Sequence, residues 1–477
     1  MRQNSFRMSH WEERRGSCWL WVMVLILMGK GSAEARFASQ FSLSTGEQYT
    51  DNVFFSENKQ YDFITEITPT LRLIYQPSAI PASMLTADIN APAEIFARHS
   101  ELNNIGNRLS LRTQFNYPYS RRLSFAFTDC LGRLGKARNG GSGDARSGDG
   151  SGGGGTIGSL AGQGQSGGCG GSGGFGGAGS GGSQSLANEG ELVTTGEVLE
   201  NTFDASSTFL ATPTLTLRGA YKWRYIAFFD EGGKETSQGG EFEASYSKWQ
   251  QHNLRAKFRI EFLKSRDGEN DTIFDIDAGD DFLSTRQIQL TPTLTLSAAT
   301  GISLSTGNSK FRLEHKLNAR LVKLWRTAQF EVGVRRGLTG SFGVGGPSFT
   351  TSFFSHFTVL LTRRLNAFAS VDYSMFNTDQ QNFNTFIAGA GISYNIFYWL
   401  SANLAYTYRR ANPEGSSSNS NSSLQGKTDS NAVFLFLSAT FDIWPHLGLG
   451  RGQGGFQASP AASPGGTSSP SSATPTP

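Results

Sequence analysis

The chain has 477 residues, 42 Lys+Arg against 39 Asp+Glu and a formal net charge of +3. That balance excludes the basic excess of a nucleic-acid binder. Past the N-terminus no run reaches the ~18–20 consecutive apolar residues of a membrane helix, which excludes a polytopic helical protein.

At the N-terminus, Arg14 and Arg15 precede the apolar run Cys18–Met28, and the small-residue triplet Ala33-Glu34-Ala35 follows it. This order predicts a cleavable secretory signal over residues 1–35, cut before Arg36. Cys130 and Cys169 remain in the exported chain and could pair across a glycine-rich segment. Two lone cysteines do not make a metal site, and no metal or cofactor is expected.

Residues 36–131 and 201–444 carry the fold. Between them, residues 132–200 read as a disordered loop, because residues 140–190 hold 24 of the 58 glycines and such a stretch cannot bury enough apolar surface to offset its ordering entropy. Residues 445–477, rich in Pro, Ser, Gly and Ala, read as a disordered tail.

The two folded parts alternate with period two. Leu254, Ala256, Phe258, Ile260 and Phe262 interleave with Arg255, Lys257, Arg259 and Glu261. Phe311, Leu313, Leu317, Ala319 and Leu321 interleave with Lys310, Arg312, Glu314, Lys316 and Arg320. Successive strand side chains point to opposite faces, so each segment has one apolar and one polar face. The same pattern recurs at Leu85–Ala97, Leu109–Tyr117, Ile288–Ala298, Leu365–Met375, Phe386–Ile396 and Leu400–Tyr408. The fold class is all-β.

Strand and connector lengths choose between a soluble sandwich and a transmembrane antiparallel β-barrel. Many runs exceed the usual 5–6 residues of soluble strands and match the ~9–11 needed to cross hydrocarbon obliquely. Tight connections at Tyr119–Arg122, Trp249–Gln251, Lys323–Arg326, Thr362–Arg364 and Phe397–Trp399 alternate with longer loops at 46–61, 98–106, 265–284, 337–347, 377–383 and 411–429. Short turns at one end and longer loops at the other are the habit of outer-membrane barrels. The runs predict about 16–18 strands, with turns poorly marked at Ala220–Phe229 and Gly301–Ser305. Tyr and Trp at strand ends, such as Tyr119, Trp249, Trp325, Tyr398 and Trp399, suit interfacial girdles. Bilayer lipid and the barrel-assembly machinery are the implied partners.

The hexapeptide T-P-T-L-x-L occurs at Thr68–Leu73, Thr212–Leu217 and Thr291–Leu296. Proline cannot donate to a ladder, so Pro69, Pro213 and Pro292 are expected at strand entries from the long loops. Arg-Arg-Leu-Ser/Asn, at Arg121–Ser124 and Arg363–Asn366, is expected at short turns.

The stretch Gly46–Leu73 (GEQYTDNVFFSENKQYDFITEITPTLRL) resembles the opening of bacterial outer-membrane β-barrel proteins associated with exosortase and exopolysaccharide (PEP-CTERM-type) systems. Arg-Arg-Leu-Ser/Asn and Leu404–Arg410 are similar to that family's later hairpins in style. The resemblance implies an integral outer-membrane barrel, exported with a signal peptide and working near envelope-polysaccharide export. It implies no catalytic residues. The long glycine segment and the tail after Val433–Phe441 depart from the family pattern.

With apolar faces on lipid, polar faces line the lumen. Arg218, Lys222, Arg224, Arg255, Lys257, Arg259, Lys310, Arg312, Lys316 and Arg320 are the candidate lumen-facing residues, with Glu241, Glu243, Glu261 and Glu314 among them. They form either a basic path for anionic solutes or acidic polysaccharide, or a salt-bridged packing that closes the barrel. The segment Asp267–Asp281 is expected as a solvated acidic outer loop. A hydrolase would need a histidine with an orienting partner. His99 and His356, next to Ser355, are the only candidates, and neither has an obvious partner in the sequence. The expected function is therefore a pore or a closed structural barrel, and not an enzyme.

Overall fold

A computed structural model describes residues 36–53, 58–76, 83–103, 109–137, 196–228, 233–247, 252–264, 270–283, 294–307, 311–325, 327–340, 347–377, 382–414 and 427–444. The signal segment, the glycine-rich stretch, the tail, Cys169, Lys310 and Pro292 lie outside the described residues.

The strands are β1 (Arg36–Thr50), β2 (Asp62–Gln76), β3 (Met84–Asn90), β4 (Ala93–Phe96), β5 (Ser110–Pro118), β6 (Leu123–Ala137), β7 (Gly196–Thr212), β8 (Leu215–Phe228), β9 (Lys234–Tyr246) and β10 (His252–Lys264). They continue as β11 (Asn270–Leu283), β12 (Leu294–Gly307), β13 (Arg312–Leu324), β14 (Ala328–Gly340), β15 (Pro347–Leu360), β16 (Leu365–Asn377), β17 (Asn382–Phe397), β18 (Leu400–Glu414) and β19 (Thr428–Trp444). Apart from β4, which pairs with β2 and not with β3, successive strands form antiparallel ladders among the described residues, with β3 joining β2 to β5, and β19 returns to β1 from Ser39↔Trp444 to Thr50↔Ala432. Closure leaves no free sheet edge there, a requirement for strands in lipid. β3 and β4 both lie against β2 and share one place in the wall, so the barrel has 18 strand positions.

The break between β3 and β4 has a chemical cause. The Pro69 carbonyl accepts the Ala91 N–H at 3.2 Å, so the backbone of Pro69 faces the interruption. A residue's N–H and C=O point to the same side of a strand, and proline has no N–H to offer there. The ladder therefore lapses at Ala91–Pro92. Pro69 sits mid-strand, opposite Leu43, and Pro213 lies in the two-residue turn between β7 and β8, at the short-turn end. Neither marks entry from a long loop, which corrects the expectation.

The short turns 119–122, 361–364 and 398–399 fall where the sequence places them, whereas Trp249–Gln251 and Arg326 lie outside the described residues. The long loops are shorter than expected, because β1 runs to Thr50, β14 to Gly340, β18 to Glu414 and β19 starts at Thr428. The supposed acidic loop is largely strand β11, and Ala220–Phe228 and Gly301–Ser305 are strand without a turn. β6 reaches Ala137 and β7 starts at Gly196, and Cys130 in β6 is disulfide-bonded.

Burial is inverted relative to a soluble domain. Phe258, Phe262, Ile276, Ile302, Leu313, Leu435 and Phe441 are exposed on the outside, whereas Glu200, Glu331, Asp62, Asp275 and Thr350 are fully buried within. Adjacent rows show it directly. Phe258 stands opposite Ile276, which stands opposite Ile302. One residue along, Arg259 faces Asp275, which faces Ser303.

On the arc from β14 round to β1, inner-face phenylalanines cover glycines. Gly333 lies opposite Phe354, Gly391 opposite Phe368 and Gly46 opposite Phe436. A Cβ at Gly391 would stand 2.4 Å from Phe368 Cζ and 2.7 Å from the Leu404 carbonyl oxygen. Only glycine permits that approach.

Candidate functional site: the ion-paired lumen

Arg218, Lys222 and Arg224 stand on β8, Arg255, Lys257 and Arg259 on β10, and Arg312, Lys316 and Arg320 on β13. All nine share the parity that faces inward. Lys222, Arg224 and Arg259 are buried and the others half-buried.

Cross-strand register sets a carboxylate beside most of them. Around one level of the wall the order is Arg218, Glu243, Lys257, Asp277, Gly301 and Lys316. The charge alternates from Arg218 to Asp277, the arrangement in which opposed side chains attract, and Lys316 reaches Asp277 across Gly301. Lys257 Nζ is 2.9 Å from Glu241, and Arg224 Nε donates to Glu200 at 2.8 Å. Lys316 Nζ reaches Asp277 at 2.6 Å and Asp275 at 3.3 Å, and Arg320 Nε reaches Glu331 at 2.6 Å. Arg218 and Lys222 lie 4.0 Å from Glu243 and Asp204 respectively.

The centre of this network is the buried pair Arg259–Asp275. Asp275 also accepts from Ser303 at 2.6 Å, and Arg259 lies 3.8 Å from Glu261, which accepts from Ser237 at 2.5 Å. The sequence places Glu241, Glu243 and Glu261 among these cations, but not the aspartates of β11. The density of acidic residues in Asp267–Asp281 predicts a loop over Asp271, Asp275 and Asp277, although Thr272, Phe274 and Ile276 alternate with them as strand residues do.

The histidines do have partners. His99 Nδ1 is 2.8 Å from Asp62 and its Nε2 is 2.9 Å from Gln60. Asp62 also accepts the backbone N–H groups of Phe63, Arg98 and His99, at 2.8, 3.0 and 3.1 Å. This fully buried carboxylate ties the start of β2 to the segment after β4. His356 Nε2 is 3.3 Å from Asp372. Ser355, its chain neighbour, lies on the opposite face of β15, so the adjacent hydroxyl does not join that pair.

A second polar cluster clasps the closing seam at the long-loop end. Asp51 accepts the Asn431 backbone N–H at 2.6 Å and its amide at 2.8 Å, and Lys59 bridges Asp51 at 3.3 Å and Asp429 at 2.6 Å. Burial works to raise the Asp51 carboxyl, but the Asn431 hydrogen bonds and Lys59 outweigh it and hold it below the ordinary 3.8. The hydrogen bond to Asp429 holds Lys59 above the ordinary 10.5. A lowered carboxyl stabilises the folded state above its unfolded pKa, and that contribution is lost as pH falls through the folded value. We expect the stability difference between wild type and Asp51→Asn to be largest near neutrality. It should shrink once pH drops below 3.8, as measured by urea titration of the vesicle-embedded barrel. An unchanged difference at acid pH would show that the clasp does not contribute.

A closed wall of 18 positions, apolar outside and ion-paired inside, defines a transmembrane β-barrel. Among solved structures the chain is similar to OpdL of Pseudomonas aeruginosa, with 11% identity, a TM-score of 0.44, and 86% of this chain and 99% of that one covered. It is likewise similar to the outer membrane protein OpdK of the same organism (9%, 0.44, covering 84% and 99%) and to OccAB4 of Acinetobacter baumannii (8%, 0.44, covering 85% and 98%). No family model and no curated protein matches the chain. The barrel assignment rests on the ladders and the inverted burial, not on these likenesses.

Proposed function

We propose that the chain is an integral bacterial outer-membrane barrel that conducts small hydrophilic solutes as part of envelope-polysaccharide export. The observation that carries the pore reading is the closed two-faced wall of 18 positions. Soluble proteins have no use for a continuous apolar exterior around buried ion pairs, and walls of 16–18 strands enclose more space than their own side chains fill. The link to polysaccharide export rests on the sequence resemblance alone. The reading includes no catalytic role.

Because the inner cations stand beside carboxylates, the lumen is close to self-neutralised, and strong anion selectivity is not part of the proposal. We expect refolded protein in planar bilayers to give discrete conductance steps with weak ion selectivity. Silent bilayers containing folded barrel would instead support a closed structural barrel. One specific observation favours that alternative: Leu338 of β14 packs inside the lumen against Ile226, Leu263 and Ile273.

A further inference from the structure

The position of Leu338 reveals a discontinuity in the wall. The β13–β14 ladder runs from Leu324↔Gln329 only to Leu317↔Arg336. Among the described residues it has no rung beyond that point. Yet β14 stays paired with β15 up to Gly340↔Pro347, and β13 stays paired with β12 up to Ser305↔Arg312. The long-loop half of the seam is therefore unzipped, and the β14–β15 hairpin passes inside the β13 edge.

Three contacts confirm the overlap. Leu338 is buried among Ile226 of β8, Leu263 of β10 and Ile273 of β11, with Phe349 packed alongside. The Leu338 carbonyl accepts from Arg259 at 3.4 Å. Arg336, outward by parity, lies 3.9 Å from Glu314, inward by parity, and its guanidinium covers the Phe349 ring at 4.8 Å.

The unzipped edge lies at the depth of hydrocarbon. Leu313, on the outer face of this half of β13, and Phe311, just before the strand, are 60% and 70% exposed. Five residues at ~3.3 Å each, tilted about 40°, cover ~12 Å of depth, roughly half of the ~25 Å apolar band. Backbone groups at that depth need partners or cover. Here the cover is an overlapping hairpin held by long polar contacts and one apolar plug.

We propose that the long-loop half of the β13–β14 seam is a lateral gate, through which an amphiphile with an alkyl chain passes between the lumen and the bilayer. Outside the gate lie Leu313 and Phe311, continuous with the lipid surface. Inside lies the apolar patch of Ile226, Leu263, Ile273 and Leu338, which takes the alkyl chain, while the neighbouring ion-paired wall takes a polar head. Leu338 is the plug, and Arg336–Glu314 is the bolt.

The test uses full-length chain refolded into phosphatidylcholine vesicles doped with a phosphatidylcholine bearing a diazirine at its acyl-chain end. After photolysis, adducts are mapped by peptide mass spectrometry. The expected pattern is labelling of Phe311 and Leu313 on the outside together with Leu263 and Ile273 on the inside. Interior labelling should rise in Arg336→Gln. It should vanish when Glu314→Cys/Arg336→Cys is bridged by a short bismaleimide, while the outer labels stay. Should the bridged variant fail to fold, Leu338→Ser is the second opening variant, with the same expected rise as Arg336→Gln. Labels confined to Phe311 and Leu313 in both wild type and Arg336→Gln would overturn the gate, as would interior labels indifferent to the bridge. Conductance of the same samples separates the two readings, since a protein that conducts but labels only outside loses the gate and keeps the pore.

Discussion

Asp275→Ala is expected to lower the stability of the folded barrel by about 3–5 kcal/mol, the cost of leaving buried charge without its partner. Asp275 is fully buried and is the shared acceptor of Arg259, Lys316 and Ser303. Its removal leaves Arg259 with Glu261 at 3.8 Å, too far to replace a direct charged hydrogen bond. The double replacement Arg259→Met/Asp275→Leu should recover most of the loss, because apolar groups of similar volume often replace a buried pair at little cost. Urea titration of folding into vesicles measures both. A loss of only ~1 kcal/mol for Asp275→Ala would mean that the pair behaves as a solvated surface bridge, and the network would then line open water instead of a packed wall.

The second large effect concerns the other face. Ile276 is 63% exposed, midway along β11 and flanked in register by Phe258 and Ile302. On a water-soluble sheet, Ile276→Arg would be nearly neutral, since exposed substitutions away from special features stay within about ±0.5 kcal/mol. In a bilayer the same change puts a cation near mid-depth on the lipid side, at a cost of about 2–4 kcal/mol. We expect the second value from equilibrium folding into vesicles. Ala256→Arg, nearer the short-turn end of the adjacent strand, should cost less, because the penalty falls toward the interface. Equal, small effects at both positions would contradict the membrane assignment.

The chain itself determined the alternation and hence the two faces. A period of two follows from the pleat, so Phe258 and Arg259 must part company whatever the partners are. Local turn chemistry likewise made the short connections legible at Tyr119–Arg122 and Phe397–Trp399. Charge inside and grease outside then follow from the cost of a cation in hydrocarbon.

Register is another matter, because it is a relation between segments distant in the chain. That Asp275 meets Arg259, or that Asp51 meets Asn431 across 380 positions, depends on how strands align, and alignment is set by the whole closed wall. The same reason explains the misread acidic segment. Seven carboxylates in Asp267–Asp281 look like a solvated loop until β10 stands beside them and Lys316 of β13 reaches across β12, turning the inward ones into partners. It explains Pro69 as well, whose missing donor is harmless only because the chain breaks opposite it at Ala91–Pro92. The unzipped half of β13–β14 lies furthest from sequence reasoning, since both strands alternate normally and only their divergence in space shows that the ladder stops.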